Sequence, residues 1–227
     1  MTADAGLLEG VPFLAVLPPE EREELAACLA RRQLQKGDII FQRDDPGQSL
    51  FIVERGAVRI YVPSPQGMDL TLAVLGPGDF FGDLSLLDGR SRSASAIASE
   101  QASLLVLDRA DFLGFIGAHP QAAMAVLMVV AQRLREADEK ASDLAFLDVA
   151  GRLAKRLLDL AASHGISRAD GILIDLSLTQ EELANMIGVT RESVNRNLSE
   201  FRRLGLVVNQ GRRLLIRDAA ALRRRYE

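Results

Sequence analysis

The sequence from Leu178 to Gly205, LTQEELANMIGVTRESVNRNLSEFRRLG, is typical of a helix, a tight turn and a second helix. Thr179 and Glu182 have the T-x-x-E spacing of a capping box, which predicts the start of the first helix. Gly188 supplies the backbone freedom that the turn needs. Thr190 can accept hydrogen bonds from the first free N–H groups of the second helix.

The second helix is predicted to be amphipathic. Val194, Leu198 and Phe201 recur at i, i+4 and i+7 and therefore point inward. Gly205 is well placed as the C-terminal cap. The polar residues that share the outward face are Arg191, Glu192, Asn195, Arg196 and Ser199.

An outward face of this composition suits the major groove of DNA. Arginine can donate two hydrogen bonds to O6 and N7 of guanine, and glutamate can accept one from N4 of cytosine. The alternative is a solvated helix face with an i, i+4 ion pair between Glu192 and Arg196. We favour DNA because the capped helices precede a predicted hairpin, the wing of a winged helix-turn-helix. The hairpin comprises Leu206–Asn209, a turn at Gln210–Gly211, and Arg212–Arg217.

Residues 178–205 closely resemble the DNA-binding helices of the CRP/FNR family of bacterial transcription regulators, and the resemblance covers nearly all 227 residues. It implies a homodimer on double-stranded DNA, with Arg191, Glu192 and Arg196 reading TGTGA-like half-sites. Thr179 and Gln180 would then lie against phosphates. The predicted DNA-binding residues are Thr179, Gln180, Thr190, Arg191, Glu192, Asn195, Arg196 and Ser199.

The composition, 48% hydrophobic and 26% charged, is that of an ordinary soluble protein with room for two small domains. No apolar run approaches the roughly 20 residues of a membrane span, and the N-terminus lacks the pattern of a signal peptide. The single cysteine, Cys28, favours a reducing compartment. We therefore expect a cytoplasmic protein without membrane association, with Cys28 as a buried thiol.

The net charge of −4 is unevenly distributed. Residues 148–227 carry 14 Lys/Arg and 10 Asp/Glu, whereas residues 1–147 carry 13 and 21. Positive charge is therefore concentrated where DNA phosphates would bind, although the asymmetry alone would not identify a DNA-binding protein.

Residues 1 to about 30 are helical in pattern, with a helix beginning at Pro18–Pro19. From about Arg31 to Leu107, short alternating segments predict a small antiparallel barrel or roll. Pieces such as KGDIIF, ERGAVRIY and LGPGDFFG resemble the β-roll of cyclic-nucleotide-binding domains. The turns are predicted at Gly37, Gly56, Gly67, Gly76 and Gly78.

Small barrels also include metal-dependent cupin enzymes, which need a cluster of histidines and carboxylates. The two histidines, His119 and His164, both lie outside the strand region, and the chain lacks a cysteine cluster. The sequence therefore predicts no metal site and no catalytic residues, and it argues against haem or iron–sulfur sensing. A cupin-like enzyme is kept as the remote alternative.

The segment from Phe81 to Ala94, FGDLSLLDGRSRSA, is the candidate effector site. Residues 82–87 can form a short helix whose free N–H groups face an anion, and Arg92 can clamp a phosphate with two parallel hydrogen bonds. The segment resembles the phosphate-binding cassette of the family, FGE(x)xLL followed by RSA. The alternative is an Asp83–Arg92 ion pair in an empty pocket. The nucleotide-binding positions implied are Gly82, Asp83, Leu84, Arg92 and Ser93.

The resemblance implies a cyclic nucleotide as effector, with cyclic AMP as the first candidate and no required cofactor. Asp83 stands where the family has Glu, and Ala137 and Asp138 stand where relatives that bind cyclic AMP often have Thr and Ser. Arg133 matches a family position near the pocket and can pair with Asp83. Arg133, Ala137 and Asp138 complete the predicted ligand-binding set, while another effector, or none, stays open.

Residues from Gln121 to about Leu147 are predicted to form one long helix, roughly 40 Å in length. The alternatives are a core helix and a parallel two-stranded coil, and we favour the coil because the family dimerises there. The predicted seam consists of Leu127, Val130, Leu134, Ala137, Ala141 and Leu144.

A hinge is predicted near Leu147–Asp148, with Asp148 capping the next helix. Ser163 to Gly171 is predicted as an exposed polar loop containing a surface histidine, His164. The family resemblance implies that this region contacts RNA polymerase.

The predicted fold is α+β: an effector-sensing β-roll domain (1–117), a dimerisation helix (118–147) and a winged helix-turn-helix domain (148–227). The predicted function is transcription regulation gated by a small-molecule effector, with a ligand-independent regulator of the same architecture as the alternative.

Overall fold

A computed structural model describes residues 8–64, 69–211 and 213–226 of the chain. Gly67, Arg212 and residues 1–7, all covered by predictions above, lie outside this set. The chain divides into an N-terminal unit, Met1–Pro63 with Leu72–Arg135, and a C-terminal unit, Ser64–Thr71 with Glu136–Glu227. The division falls inside the long helix, and the domain limits at 117/118 and 147/148 stay a prediction.

The N-terminal unit is built from two four-stranded antiparallel sheets and short helices. The strand orders are β1-β8-β3-β6 and β2-β7-β4-β5, which confirms the predicted antiparallel roll. The strands are β1 (Ala30–Leu34), β2 (Ile39–Phe41), β3 (Ser49–Arg55), β4 (Val58–Pro63), β5 (Asp69–Leu75), β6 (Phe80–Phe81), β7 (Ser95–Ala98) and β8 (Ala102–Asp108). The helices are α1 (Pro12–Ala15), α2 (Pro19–Ala27), α3 (Asp83–Asp88) and α4 (Arg109–Ala118).

Strand β3 is buried on both faces, which explains its continuous apolar run. Because side chains alternate along a strand, Phe51 and Val53 pack in the core between the sheets. Leu50 and Ile52 pack on the other side, in a core that includes Phe13 of α1 and other helical residues. This core positions α3, which carries the effector cassette, against the roll.

Glu54, on β3, connects three strands of the first sheet. Its carboxylate accepts hydrogen bonds from Arg31 Nε on β1, at 2.9 Å, and from Ser103 Oγ on β8. Burial raises the pKa of Glu54, but the hydrogen bonds from Arg31 and Ser103 and the charges of Arg31 and Arg55 outweigh it, so the pKa is lowered. The charged form is therefore favoured by folding.

We expect Glu54→Gln to lower the free energy of unfolding at pH 7 by about 1–2 kcal/mol, because it weakens charge-assisted hydrogen bonds. A carboxyl group with a lowered folded pKa stabilises the protein above its unfolded pKa, and the contribution disappears as the pH falls through the folded pKa. Denaturant unfolding at pH 7 and about pH 3 tests this. A stability difference that persists at the lower pH would contradict the assignment.

Two helices connect the roll to the C-terminal part of the chain. The predicted long helix is confirmed as α5 (Pro120–Phe146), and α6 spans Val149–His164. Asp148 caps α6 as predicted, with its side chain accepting from Gly151 N at 2.7 Å. In the described part of the chain, no single helix has the length and hydropathy of a membrane span. Helices α4 and α5 reach that length and hydropathy only when they are taken together, and the chain bends by 114° between them.

The C-terminal unit surrounds a core of α6 and the helices and strands that follow it. A four-stranded antiparallel sheet has the order β11-β12-β10-β9. The strands are β9 (Gly165–Arg168), β10 (Gly171–Ile174), β11 (Val207–Gln210) and β12 (Arg213–Ile216). The helices are α7 (Gln180–Ile187), α8 (Arg191–Arg203) and α9 (Ala219–Arg223). The predicted wing is thus present, with strand limits shifted by about one residue.

The predicted loop from Ser163 to Gly171 is wrong in its secondary structure. Helix α6 continues to His164, and Gly165–Arg168 pairs with Gly171–Ile174 as a hairpin. All four residues of β9 are exposed, so no alternation of apolar and polar residues marks the strand. The predicted exposure is confirmed, including that of His164. Helices α4 and α9 were also not predicted.

The predicted burial of Cys28 is wrong as well. Helix α2 buries Leu25, but Cys28 is its C-cap residue and is exposed. Its Sγ lies 3.8 Å from the Glu24 carbonyl oxygen of the same helix. The prediction failed because the C-terminal end of α2 is exposed at this position, so helical spacing from Leu25 does not bury the thiol.

Candidate DNA-binding helices and effector cassette

The first helix of the helix-turn-helix, α7, begins at the predicted capping box. Thr179 N donates to Glu182 Oε2 at 2.7 Å, and Glu182 N donates to Thr179 Oγ1 at 3.1 Å. Leu183, Ala184 and Ile187 are buried against the core. Local hydrogen bonds thus fix the start of α7, while apolar packing fixes its orientation.

The turn and both ends of α8 also follow the predicted chemistry. Gly188 has φ +67°, a conformation that favours glycine. Thr190 Oγ1 accepts from Ser193 N at 3.3 Å. At the far end Gly205 has φ +72°, and its N–H donates to the Arg202 carbonyl at 3.0 Å while Leu206 N donates to Phe201 O at 2.9 Å. These two bonds are a Schellman motif, so α8 is held at both termini.

Helix α8 presents the polar face that the sequence predicts. Val194, Leu198 and Phe201 are at most 3% exposed. Glu192 and Arg196 form no ion pair with each other in the described part of the chain, so the alternative of an i, i+4 pair is not what the structure has. The exposed residues are Arg191, Glu192, Asn195, Arg196 and Ser199.

The remaining predicted DNA-binding residues lie at the starts of the two helices. Thr179 and Thr190 are exposed N-caps, and Gln180 is half-buried at the first position of α7. Gln180 Nε2 donates to Asn195 Oδ1 at 3.2 Å, which ties the start of α7 to the outward face of α8. All eight predicted residues therefore belong to the two helices or their caps.

In the effector cassette, Arg92 is only 5% exposed and joins three segments. Its Nη1 donates to Gly82 O at 2.8 Å and to Ser85 Oγ at 2.7 Å, and its Nη2 donates to Ser49 O at 2.7 Å. The guanidinium lies 4.3 Å from the Phe41 ring centre. Gly82 has φ +82°, and a Cβ there would lie 2.6 Å from Arg92 Nη1, so the close approach requires glycine.

Burial lowers the pKa of Arg92, and the charges of Asp45 and Asp83 partly offset this effect. Arg92 Nε is also buried, without a hydrogen-bond partner among the described residues. The cassette therefore contains a desolvated cation with one unused donor.

Asp83 forms its ion pair with Arg133 rather than with Arg92. Asp83 is 2% exposed, and its Oδ1 lies 2.9 Å from Arg133 Nη1. Arg133 also donates to the Phe80 carbonyl and lies 4.9 Å from the Phe80 ring centre. This confirms the expected Asp83–Arg133 contact and contradicts the Asp83–Arg92 alternative. Asp83 Oδ2 is buried without a partner among the described residues.

The other predicted effector residues are more exposed. Leu84 is 49% exposed, and Ser93 is exposed beside Arg92. Ala137 and Asp138 are exposed on the part of α5 that belongs to the C-terminal unit. Their roles as effector contacts stay predictions.

Sequence reasoning missed Ser85 and Phe41, which hold Arg92. Ser85 is 3% exposed, and its position inside the quoted cassette was a usable signal. Phe41 lies on another strand, so no local pattern connects it with Arg92. In residues 8–64, 69–211 and 213–226 no group of three or more His, Cys, Asp or Glu side chains could hold a metal ion.

Comparison with known proteins identifies both parts of the chain. Residues 31–119 match the cyclic nucleotide-binding domain family, and residues 151–225 match the Crp-like helix-turn-helix domain family. The CRP-like cAMP-activated global transcriptional regulator of Mycobacterium tuberculosis is 34% identical, covering 98% of this chain and 97% of that protein. The cyclic AMP receptor protein of Thermus thermophilus is 37% identical, covering 95% and 96%.

Solved structures agree with this match. The c-di-GMP responsive global regulator CLP of Xanthomonas campestris aligns with a TM-score of 0.78 and 26% identity, covering 95% of this chain and all of that one. The catabolite activator protein of Thermus thermophilus aligns with a TM-score of 0.56 and 37% identity, covering 95% and 98%.

The chain belongs to the CRP/FNR family of transcription regulators. It is a DNA-binding regulator with a cyclic nucleotide-binding domain, and not an enzyme.

Proposed function

We propose that the protein is a homodimeric regulator, gated by a cyclic nucleotide, that binds a palindrome of TGTGA-like half-sites. The observation that carries this proposal is the outward face of α8, whose polar side chains project from a helix held at both ends. A groove-reading helix must be rigid so that each side chain meets its base without a large entropic cost. The caps and the buried side of α8 provide that rigidity.

Base reading is assigned to Arg191, Glu192 and Arg196. Arginine has two parallel donors for guanine O6 and N7, and Glu192 has an acceptor for cytosine N4. Because Glu192 and Arg196 are exposed and not paired with each other, neither must break a mutual bond to reach a base. Thr179, Gln180 and Thr190 supply contacts to phosphates, which position the helix without reading the sequence.

Dimerisation is assigned to α5. The seam residues Leu127, Leu134 and Leu144 are 56%, 61% and 47% exposed, while Val130 packs partly against the N-terminal core. Met124 and Met128, at 59% and 69% exposure, extend this apolar face beyond the predicted seam. A second copy of α5 would remove these side chains from water. The two α8 helices would then read half-sites about 34 Å apart.

The effector is assigned to the cassette, where the residues fit an anionic nucleotide. A phosphate needs donors, and the buried Arg92 Nε has no acceptor among the described residues; a ribose hydroxyl needs an acceptor, and Asp83 Oδ2 has no donor there. Related regulators are named for cyclic AMP and for cyclic di-GMP. Cyclic AMP is the first candidate because the relatives from Mycobacterium tuberculosis and Thermus thermophilus, which align over nearly the whole chain, carry its name.

Two further assignments rest on the family. The exposed strand β9 is proposed to contact RNA polymerase. The protein is proposed to act in the cytoplasm. The effector changes DNA affinity only by the difference between its affinities for the two dimer forms.

Base reading by α8 is tested by measuring the binding of wild-type protein and of Arg196→Ala to single-base variants of a TGTGA palindrome. We expect Arg196→Ala to weaken binding by about 1–3 kcal/mol and to remove discrimination at one guanine. Arg203→Ala is the matched control, because it removes an exposed arginine of the same helix that pairs with Glu200 at 3.4 Å. Equal loss of affinity on every sequence would contradict base reading by Arg196.

Nucleotide binding by the effector cassette is tested by calorimetry of the full-length protein with cyclic AMP, cyclic GMP and cyclic di-GMP. Binding of one nucleotide, together with tighter binding to the palindrome in its presence, supports the proposal. Sedimentation in the same buffers tests the dimer, and a monomer that binds the palindrome fully would contradict it.

A regulator of the same architecture that needs no effector is the second candidate. The observation that favours it is the Asp83–Arg133 ion pair, which already engages the carboxylate that a ribose would need. Full affinity of nucleotide-free protein for the palindrome would establish this candidate.

A further inference from the structure

An ion pair bridges the connector between α5 and α6. Lys155 Nζ lies 2.7 Å from both carboxylate oxygens of Asp143. Asp143 is in the last turn of α5 and Lys155 is in the second turn of α6, so the pair spans the two-residue connector Leu147–Asp148. About a quarter of each side chain is exposed. We refer to this contact as the Asp143–Lys155 bridge.

The position of Asp143 is unfavourable for α5 by itself. The C-terminal end of a helix carries a partial negative charge, which disfavours a carboxylate in the last turn. The bridge places a cation from α6 against that carboxylate. The negative charge of Asp143 is therefore compensated by Lys155 only when the end of α5 lies against α6.

Other charged residues of the two helices reinforce the bridge. Burial lowers the pKa of Lys155, but the hydrogen bond with Asp143 and the charges of Asp143, Asp159 and Glu139 outweigh it, so the pKa is raised. Arg156, the next residue on α6, donates through Nε to Met186 Sδ on α7 at 3.5 Å. Contacts thus run from the end of α5 through α6 to the helix that precedes the recognition helix.

We propose that the Asp143–Lys155 bridge is a latch that holds the end of α5 against α6 in one of the two forms of the regulator. The inference rests on the function proposed above, since it concerns how strongly the effector changes DNA affinity. A contact of 2.7 Å to two oxygens is lost when the helices move apart by a few ångströms, so it stabilises only the form that contains it. The Asp148 cap on Gly151 lies within α6 and does not depend on α5.

The test uses the full-length protein carrying Asp143→Asn, which keeps the shape of the side chain and removes the unfavourable charge from α5. The measured quantity is the ratio of Kd values for a TGTGA palindrome without and with cyclic AMP. Loss of a latch is expected to change this ratio about fivefold, at the low end of typical allosteric coupling. Lys155→Met should give the same change.

Two further variants separate the bridge from general damage. Asp143→Asn/Lys155→Met should change the ratio no more than either single variant, because both remove one interaction. Glu9→Gln is the control, because it removes the ion pair of an exposed carboxylate with Arg22 in the N-terminal unit and should leave the ratio unchanged.

A second readout needs neither effector nor DNA. Amide hydrogen exchange over residues 143–152 should be faster in Asp143→Asn than in wild type, because the bridge resists local opening. If cyclic AMP leaves the wild-type Kd unchanged, the proposed function fails, and hydrogen exchange still tests the bridge. Unchanged exchange, additive single variants, or a ratio within twofold of wild type would overturn the latch.

Discussion

Replacing Arg92 with methionine is expected to lower effector affinity at least about 100-fold and the free energy of unfolding of the N-terminal unit by about 3 kcal/mol. The guanidinium makes three hydrogen bonds of 2.7–2.8 Å, to Gly82, Ser85 and Ser49, while nearly inaccessible to water. Methionine fills similar space but removes the arginine donor from the Ser49 and Gly82 carbonyls and from the Ser85 hydroxyl. Of these acceptors, Gly82 O keeps a hydrogen bond from Ser85 Oγ at 3.2 Å. Hydrogen bonds to a charged group are the stronger kind, so the loss is large.

The measurements are denaturant unfolding and calorimetry with the three cyclic nucleotides. Arg90→Met is the matched control, because it removes an arginine two residues away whose side chain is 86% exposed. Arg92→Lys keeps the positive charge but lacks the planar guanidinium group with its parallel N–H donors. We therefore expect this variant to have a higher free energy of unfolding than Arg92→Met, yet still to bind nucleotide weakly. Wild-type nucleotide affinity in either Arg92 variant would remove the cassette from the proposed mechanism.

Replacing Arg133 with methionine is expected to destabilise the N-terminal unit by about 3 kcal/mol. Asp83 is 2% exposed, and the substitution removes the cation that pairs with its Oδ1. The other carboxylate oxygen, Oδ2, already lacks a hydrogen-bond partner among the described residues. A buried charge that loses its partner costs about 3–5 kcal/mol. We expect the lower end, because the Arg133 side chain is 37% exposed and water can enter where it lay.

The second variant of this pair tests the cause. Asp83→Asn/Arg133→Met should be more stable than Arg133→Met alone, since the uncompensated charge is gone. Arg135→Met is the matched control on the same helix, because Arg135 is exposed and its side chain contacts Gln132. The assignment fails if Arg133→Met costs less than about 1 kcal/mol, or if Asp83→Asn brings no recovery. Unfolding by denaturant at pH 7 measures all four proteins.

The helix-turn-helix was predictable almost residue by residue because its determinants are local. The bonds between Thr179 and Glu182, the Thr190 cap and the left-handed Gly205 each involve residues within five positions of one another. Such contacts are specified by the short sequence around them. The inward spacing of Val194, Leu198 and Phe201 follows from helical geometry in the same way.

The effector cassette was predictable only in part. The sequence and the family resemblance identified Asp83, Arg92 and Arg133, but Phe41 and Ser49 reach Arg92 from strands about 40–50 residues earlier. Whether Arg92 or Arg133 pairs with Asp83 depends on how α5 packs beside α3. Arg133 lies 50 residues after Asp83 in the sequence, so no local pattern predicts this contact.

The sequence by itself determined that two capped helices with a polar outward face follow an antiparallel roll and a long helix, because helix caps, alternation and turns act over a few residues. Tertiary structure alone decided that β9 is a strand, that Cys28 is exposed, that Arg133 is the partner of Asp83, and that Lys155 meets Asp143. The strand and the two ion pairs depend on the surface that an already folded neighbour presents, which is a sheet edge for β9 and an oppositely charged side chain for each ion pair, whereas Cys28 lies at the exposed end of its own helix.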